Sequence, residues 1–193
     1  MSTVLIKNYS QLDIGTAQVL KTMGCKEAVS EISSLIKDSI KEVQNVLSYR
    51  VCYFVLDVDI RNDNCDFSFF KVKSQSLAKF LNDKKKVVLF AATVGVELDR
   101  LIYKYSKTAP SKAVVIDAIG SLQIEALCDK FCAEFVGEEK AKRRFSAGYG
   151  DLPLETQKEI FSLLDCSKNI GLTLTHSLIM SPSKSVTAFL GIK

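Results

Sequence analysis

Ser111 to Val136 limits more than any other segment how this chain can fold. Val115, Ile116, Ile119, Leu122, Ile124, Leu127, Phe131 and Phe135 recur through it at helical spacing and cover most of the helix circumference. A helix apolar around most of its girth must be surrounded by other elements. One line of it differs. Asp117, Ser121, Glu125 and Asp129 follow one another four residues apart, so they form a single polar stripe. That stripe either meets solvent or lines a polar cleft, where its carboxylates would suit an amine or a sulfonium.

The other segments supply what surrounds that helix. Val4 to Lys7 reads as a short strand, and Ile14 to Met23 as a helix ending at Gly24. Lys26 to Leu47 carries apolar residues three and four apart, an amphipathic helix. Tyr49 to Ile60 reads as a strand broken by Asn62-Asp63-Asn64, with Phe67 to Val72 pairing back as a hairpin. Ser76 to Asn82 is a short helix. Val87 to Thr93, apolar throughout, is a buried strand. Val96 to Ser106 and Thr156 to Asp165 read as helices, and Leu172 to Met180 and Ser185 to Ile192 as strands. Strands and helices do not alternate strictly. The expected class is therefore α+β, a mostly antiparallel or mixed sheet packed with helices, in one domain spanning residues 1–193.

Composition narrows the function. Hydrophobic residues make up 47% of the chain and charged residues 25%, the balance of a globular protein. No apolar run reaches the roughly 18 residues of a membrane helix, and the N-terminus lacks a secretory pattern. The expectation is a cytoplasmic protein with no membrane partner, whose six cysteines are reduced thiols. The net charge of +4 is mild. Its densest runs, Lys84-Lys85-Lys86 and Lys140 to Arg144, lack the interleaved aromatics of a nucleic-acid surface, so no nucleic acid is expected. A solvated turn explains the first run, and docking of an acidic partner is the other reading.

Several chemistries lack their motifs. There is no G-x-G-x-x-G, no phosphate-binding G-x-x-x-x-G-K-[ST] and no C-x-x-C. Cys128 and Cys132 sit four apart on the long helix and read as core thiols. His176 is the only histidine, so neither a catalytic triad nor a metal site is expected. The unusual segment that remains is Arg143-Arg144-Phe145-Ser146-Ala147-Gly148-Tyr149-Gly150-Asp151-Leu152-Pro153. Its glycines allow close backbone approach, Arg144 offers a planar fork for a carboxylate, and Tyr149 offers a flat face. It is either a site for a small zwitterionic aromatic ligand or a capped loop between helices.

Taken in order, these features resemble the activation domain of cobalamin-dependent methionine synthase, in its stand-alone form. Arg144, Gly148 and Tyr149 match the family's Arg-x-x-x-Gly-Tyr motif, and Gly150, Asp151, Pro153 and Leu154 continue it. Ile170, Gly171, Leu174 and Thr175 match a following Ile-Gly-x-x-Leu-Thr. Met180, Pro182, Ser185 and Val186 match Met-x-Pro-x-x-Ser-Val. The match is close from Arg144 to Ile192 and looser upstream.

The resemblance implies an S-adenosylmethionine site. Arg144 would take the methionine carboxylate, Ala147, Gly148 and Tyr149 the adenine side, and Glu125 and His176 would lie near the ligand. It also implies the function: supporting reductive methylation, and so reactivation, of cobalamin in a separately encoded methionine synthase. The cobalamin-binding subunit and a flavodoxin-like electron donor would be the partners. On this reading the chain is a component of a methyltransferase and carries no catalytic residue of its own. Two positions depart from the family. Ala147 replaces a usual proline and His176 a usual glutamate. The alternatives are a non-catalytic interaction subunit of the same fold and an activator of another corrinoid methyltransferase.

Overall fold

The computed structural model describes residues 3–25 and 30–193. Its centre is a four-stranded antiparallel sheet formed by β1 (Leu5–Tyr9), β2 (Tyr49–Asp57), β6 (Lys86–Thr93) and β9 (Ser185–Ile192), in the order β1-β2-β6-β9. Three smaller strands, β3 (Asp59–Arg61), β4 (Asn64–Asp66) and β5 (Lys71–Lys73), make a second antiparallel sheet. The class is α+β.

The uninterrupted apolar run of β6 follows from its position. Side chains of a strand alternate between the two faces of its sheet. Val88, Phe90 and Ala92 enter one core, and Val87, Leu89 and Ala91 enter another. Its neighbours obey the same alternation. Val51 and Leu190 join the first core, while Cys52, Phe54 and Phe189 join the second. Covered on both faces, β6 has no polar side to show.

The first core is closed by α5 (Pro110–Val136), on which α1 (Thr16–Thr22), α2 (Ser30–Gln44) and α4 (Val96–Thr108) pack. This surrounds α5 as its composition requires: Ile116, Leu127, Cys128, Phe131 and Cys132 have no exposure. Burial pushes the Cys132 thiol up to about 12, so it packs as an apolar group. The expected beginning of the second helix, Lys26 to Val29, lies outside the described residues. The second core is covered by α6 (Thr156–Leu164), α7 (Cys166–Ile170) and α3 (Gln75–Phe80).

Two expected strands are not formed as read. Phe67 to Phe70 is a turn, closed by Phe67 N–H donating to Phe70 O at 3.1 Å, while Asn64–Asp66 pairs back on β3. Asn62 and Asp63 both have positive φ, the two-residue hairpin bend that the right-handed strand twist favours. The bend falls within the expected break, and the returning strand begins at Asn64, three residues before Phe67. Leu172 to Met180 is likewise interrupted. Only β7 (Thr173–Leu174) and β8 (Met180–Ser181) pair, and Thr175–Ile179 is a turn. The Thr175 hydroxyl accepts from Ile179 N–H at 3.0 Å, a local bond that competes with the strand ladder.

Candidate functional site

The site is built where the chain doubles back after α5. The helix stops at Gly137, a 3-10 turn spans Glu138–Lys140, and Ala141 is buried in the first core. That anchor brings Arg144 alongside the last turns of α5, opposite the polar stripe. Arg144 Nη1 pairs with Asp129 Oδ1 at 2.5 Å, and Nη2 pairs with Glu125. Its side chain is only 11% exposed, against 59% for Glu125 and 31% for Asp129. Burial opposes the guanidinium charge, but the Asp129 hydrogen bond and the neighbouring anionic groups outweigh it and raise its pKa. At the other end of the stripe Lys184 Nζ lies 2.8 Å from Asp117 Oδ1 and 3.0 Å from Ser121 Oγ. The stripe is therefore a set of ion pairs tying α5 to two loops, with Glu125 and Asp117 its most exposed carboxylates.

The loop after Arg144 is held at several points. Phe145 bridges to Phe189 of β9 through backbone bonds of 3.0 and 2.7 Å. Asp151 reaches α3, accepting from Ser74 Oγ at 2.6 Å, Gln75 N–H at 2.7 Å and Ser76 N–H at 3.0 Å. Those donors hold its carboxyl well below the usual carboxylate range, the Ser74 hydroxyl contributing most. Gly148 N–H donates to Leu152 O at 3.0 Å, which closes the loop upon itself. Gly150 has φ +56, and a Cβ there would lie 2.8 Å from Ser76 Cβ. The left-handed turn favours glycine, and the close approach to α3 leaves no room for a side chain.

Between this loop and α5 lies a cleft of about 300 Å³ lined by Glu125, Lys142, Arg144, Phe145, Ser146, Tyr149 and Val186. Of the residues expected at a site, Glu125, Arg144 and Tyr149 line it. Tyr149 is 66% exposed and meets Phe145 edge-on, with ring centroids 6.4 Å apart. Gly148 shapes the loop beside the cleft. The Ala147 side chain turns inward to the second core, so that residue has only its backbone to offer a ligand. His176 stands apart, exposed in the turn between β7 and β8. Lys142, Phe145, Ser146 and Val186 were missed as cleft residues by sequence reasoning. Phe145 and Ser146 fall inside the Arg-x-x-x-Gly-Tyr spacing, at its unspecified positions, and Val186 within the Ser-Val match, so the signal lay in motif neighbours.

An arginine fork, a carboxylate and two aromatic rings converging on a small cleft can receive a ligand that carries a carboxylate, a cation and a flat ring. The fold and this cleft define an α+β domain whose Arg144–Tyr149 loop is clamped between a buried helix and a sheet. The chain belongs to the family of vitamin B12 dependent methionine synthase activation domains, whose model matches residues 63–192. The structure is similar to that described as the crystal structure of the MetH reactivation domain bound to AdoHcy, with a TM-score of 0.69 and 18% identity. The likeness covers 97% of this chain and 77% of that one, and at this identity it establishes the shared fold. No curated protein matches the sequence. Among the described residues no helix is long and apolar enough to cross a membrane.

Proposed function

We propose that this chain binds S-adenosylmethionine in the Arg144 cleft and supports reductive methylation of cobalamin held by a separate methionine synthase subunit. Family membership and the chemistry of the cleft support this reading. The observation that carries it is Arg144, nearly buried yet lining an open cleft beside an exposed carboxylate.

Each lining group has a role that fits the ligand. Asp129 anchors one edge of the guanidinium. Glu125, the more exposed partner, gives up the other edge to the ligand carboxylate and turns toward the ligand ammonium. Lys142 adds positive potential at the mouth. The loop backbone at Ala147 and Gly148 and the rings of Tyr149 and Phe145 take the adenosyl part. The bound sulfonium would give its methyl group to the partner's cobalamin, once that is reduced by one electron from a flavodoxin-like donor, and would leave as the neutral thioether S-adenosylhomocysteine. The contribution of this chain is then orientation and exclusion of wrong geometries, which requires no acid, base or nucleophile of its own.

Calorimetric titration with S-adenosylmethionine tests the assignment. Arg144→Ala should weaken binding about thirtyfold or more, which corresponds to roughly 2 kcal/mol for a charge-assisted pair. Arg144→Lys keeps the charge and the fold but loses the fork, and should weaken binding about tenfold. Wild-type affinity in both variants would remove Arg144 from the site.

A second reading is a non-catalytic interaction subunit of the same fold. It is favoured by the two carboxylates that already neutralise Arg144 and by the position of His176 outside the cleft. Absence of heat from the wild-type protein at millimolar S-adenosylmethionine would select it.

A further inference from the structure

The two densest basic runs of the sequence, more than fifty residues apart, meet at one place that the proposed reaction does not use. Lys84, from the turn before β6, and Lys140 and Arg143, from the segment after α5, stand around a second cleft of about 440 Å³. Its walls are apolar: Phe80 at the end of α3, Phe135 and Val136 at the end of α5, and Ile192 at the end of β9. No aspartate or glutamate side chain lines it. Lys193 lines it as well, and among the described residues none of these four cationic side chains has an ion-pair partner.

The local geometry holds this arrangement in place. Gly191 forms part of the wall, and a Cβ there would lie 2.8 Å from Lys84 Cγ. The methylenes of Lys84 thus lie directly on the backbone of β9, with its ammonium left to the rim. Elsewhere the protein matches its half-buried cations with carboxylates: Lys112 with Glu42, Lys184 with Asp117, and Arg144 with Glu125 and Asp129. Lys84 is half-buried without such a partner, and the exposed Lys140 and Arg143 extend the positive rim of the hollow. Its volume lies within the range of roughly 300–1,000 Å³ usual for small-ligand clefts. Apolar walls favour burial of a hydrocarbon or aryl body, and the rim favours an anionic head at its mouth.

We propose that this second cleft binds a small amphipathic anion, a carboxylate on an apolar body, with the body against Phe80, Phe135, Val136 and Ile192 and the carboxylate among Lys84, Lys140 and Arg143. Neither Lys84 nor Lys140 lines the Arg144 cleft, so this site stands or falls independently of S-adenosylmethionine binding.

Titration calorimetry with decanoate, below its micelle concentration, provides the test, with decyltrimethylammonium as the probe of opposite charge. The wild-type protein should bind decanoate saturably at one equivalent, more weakly as salt rises, and should show no saturable binding of the cation. The Lys84→Glu/Lys140→Glu double variant changes two rim side chains and keeps the apolar walls. It should bind decanoate at least tenfold more weakly while circular dichroism and S-adenosylmethionine titration match the wild type. The proposal is overturned if the wild type does not bind decanoate, if the two probes bind equally, or if the double variant retains full affinity.

Discussion

At the scale of single residues, Arg144 and Tyr149 divide the work of the cleft differently. Arg144 belongs to the fold as well as to the proposed site, because its guanidinium spans Asp129 and Glu125 on α5. Its removal leaves carboxylates without a counter-charge and so disturbs stability together with binding. Tyr149 is two-thirds exposed and touches the fold mainly through the edge of Phe145. Tyr149→Ala should therefore change the thermal midpoint little, since exposed substitutions usually stay within about 0.5 kcal/mol. The same change should weaken S-adenosylmethionine binding about five- to 150-fold, since stacking of a base on an aromatic ring contributes about 1–3 kcal/mol. Parallel melting curves and titrations on one preparation would show whether the two effects separate. A large loss of stability with unchanged affinity would place Tyr149 in the fold instead of the site.

At the scale of elements, α5 organises the molecule, and its packing tolerance is set by Gly120. A Cβ at that position would lie 2.5 Å from Leu98 Cδ2 of α4 and 3.1 Å from Lys184 Cγ. Leu98 is fully buried and has little room to retreat. Gly120→Val should overpack the α4–α5 contact and cost roughly 1–3 kcal/mol, read as a lower midpoint in urea with an unchanged slope. A midpoint equal to the wild type would mean that α4 can shift away. Because Lys184 packs on the same glycine and pairs with the stripe, the substitution should also loosen the turn before β9.

At the scale of the whole molecule, carboxylates that join separate elements set the acid limit of stability. Asp151 joins the loop after Arg144 to α3, and its pKa is lowered chiefly by the Ser74 hydroxyl. Glu42 joins α2 to α4 and α5, and its pKa is lowered chiefly by the Lys112 hydrogen bond, with Tyr105 donating at 2.7 Å. Both folded-state values lie below the unfolded ones, so both contributions are fully present above the unfolded pKa and are lost as pH falls through the folded pKa. The thermal midpoint of the Asp151→Asn/Glu42→Gln variant should be lower than wild type at neutral pH. The gap should narrow once pH drops below about 4, where unfolded Asp and Glu begin to protonate. A gap that is constant down to strongly acid pH would show that these links do not carry the acid sensitivity.

The sequence by itself determined the α+β class, the buried β6, the long α5 with its acidic stripe, and the Arg144–Tyr149 loop as the candidate site. Those features are local. Periodicity at spacing 2 or 3.6, glycine-rich turns and motif spacing are all written within short windows. Only the tertiary structure decided that the stripe meets Arg144 and Lys184 as ion pairs instead of plain solvent, and that Glu125, Arg144 and Tyr149 share a cleft while His176 does not. It also placed two distant basic runs around one apolar hollow. These outcomes depend on which segments the sheet order β1-β2-β6-β9 brings together. The Leu172–Met180 stretch shows the same division in miniature. Its alternating pattern fits a strand, yet the hydroxyl of Thr175 captures the backbone and makes a turn.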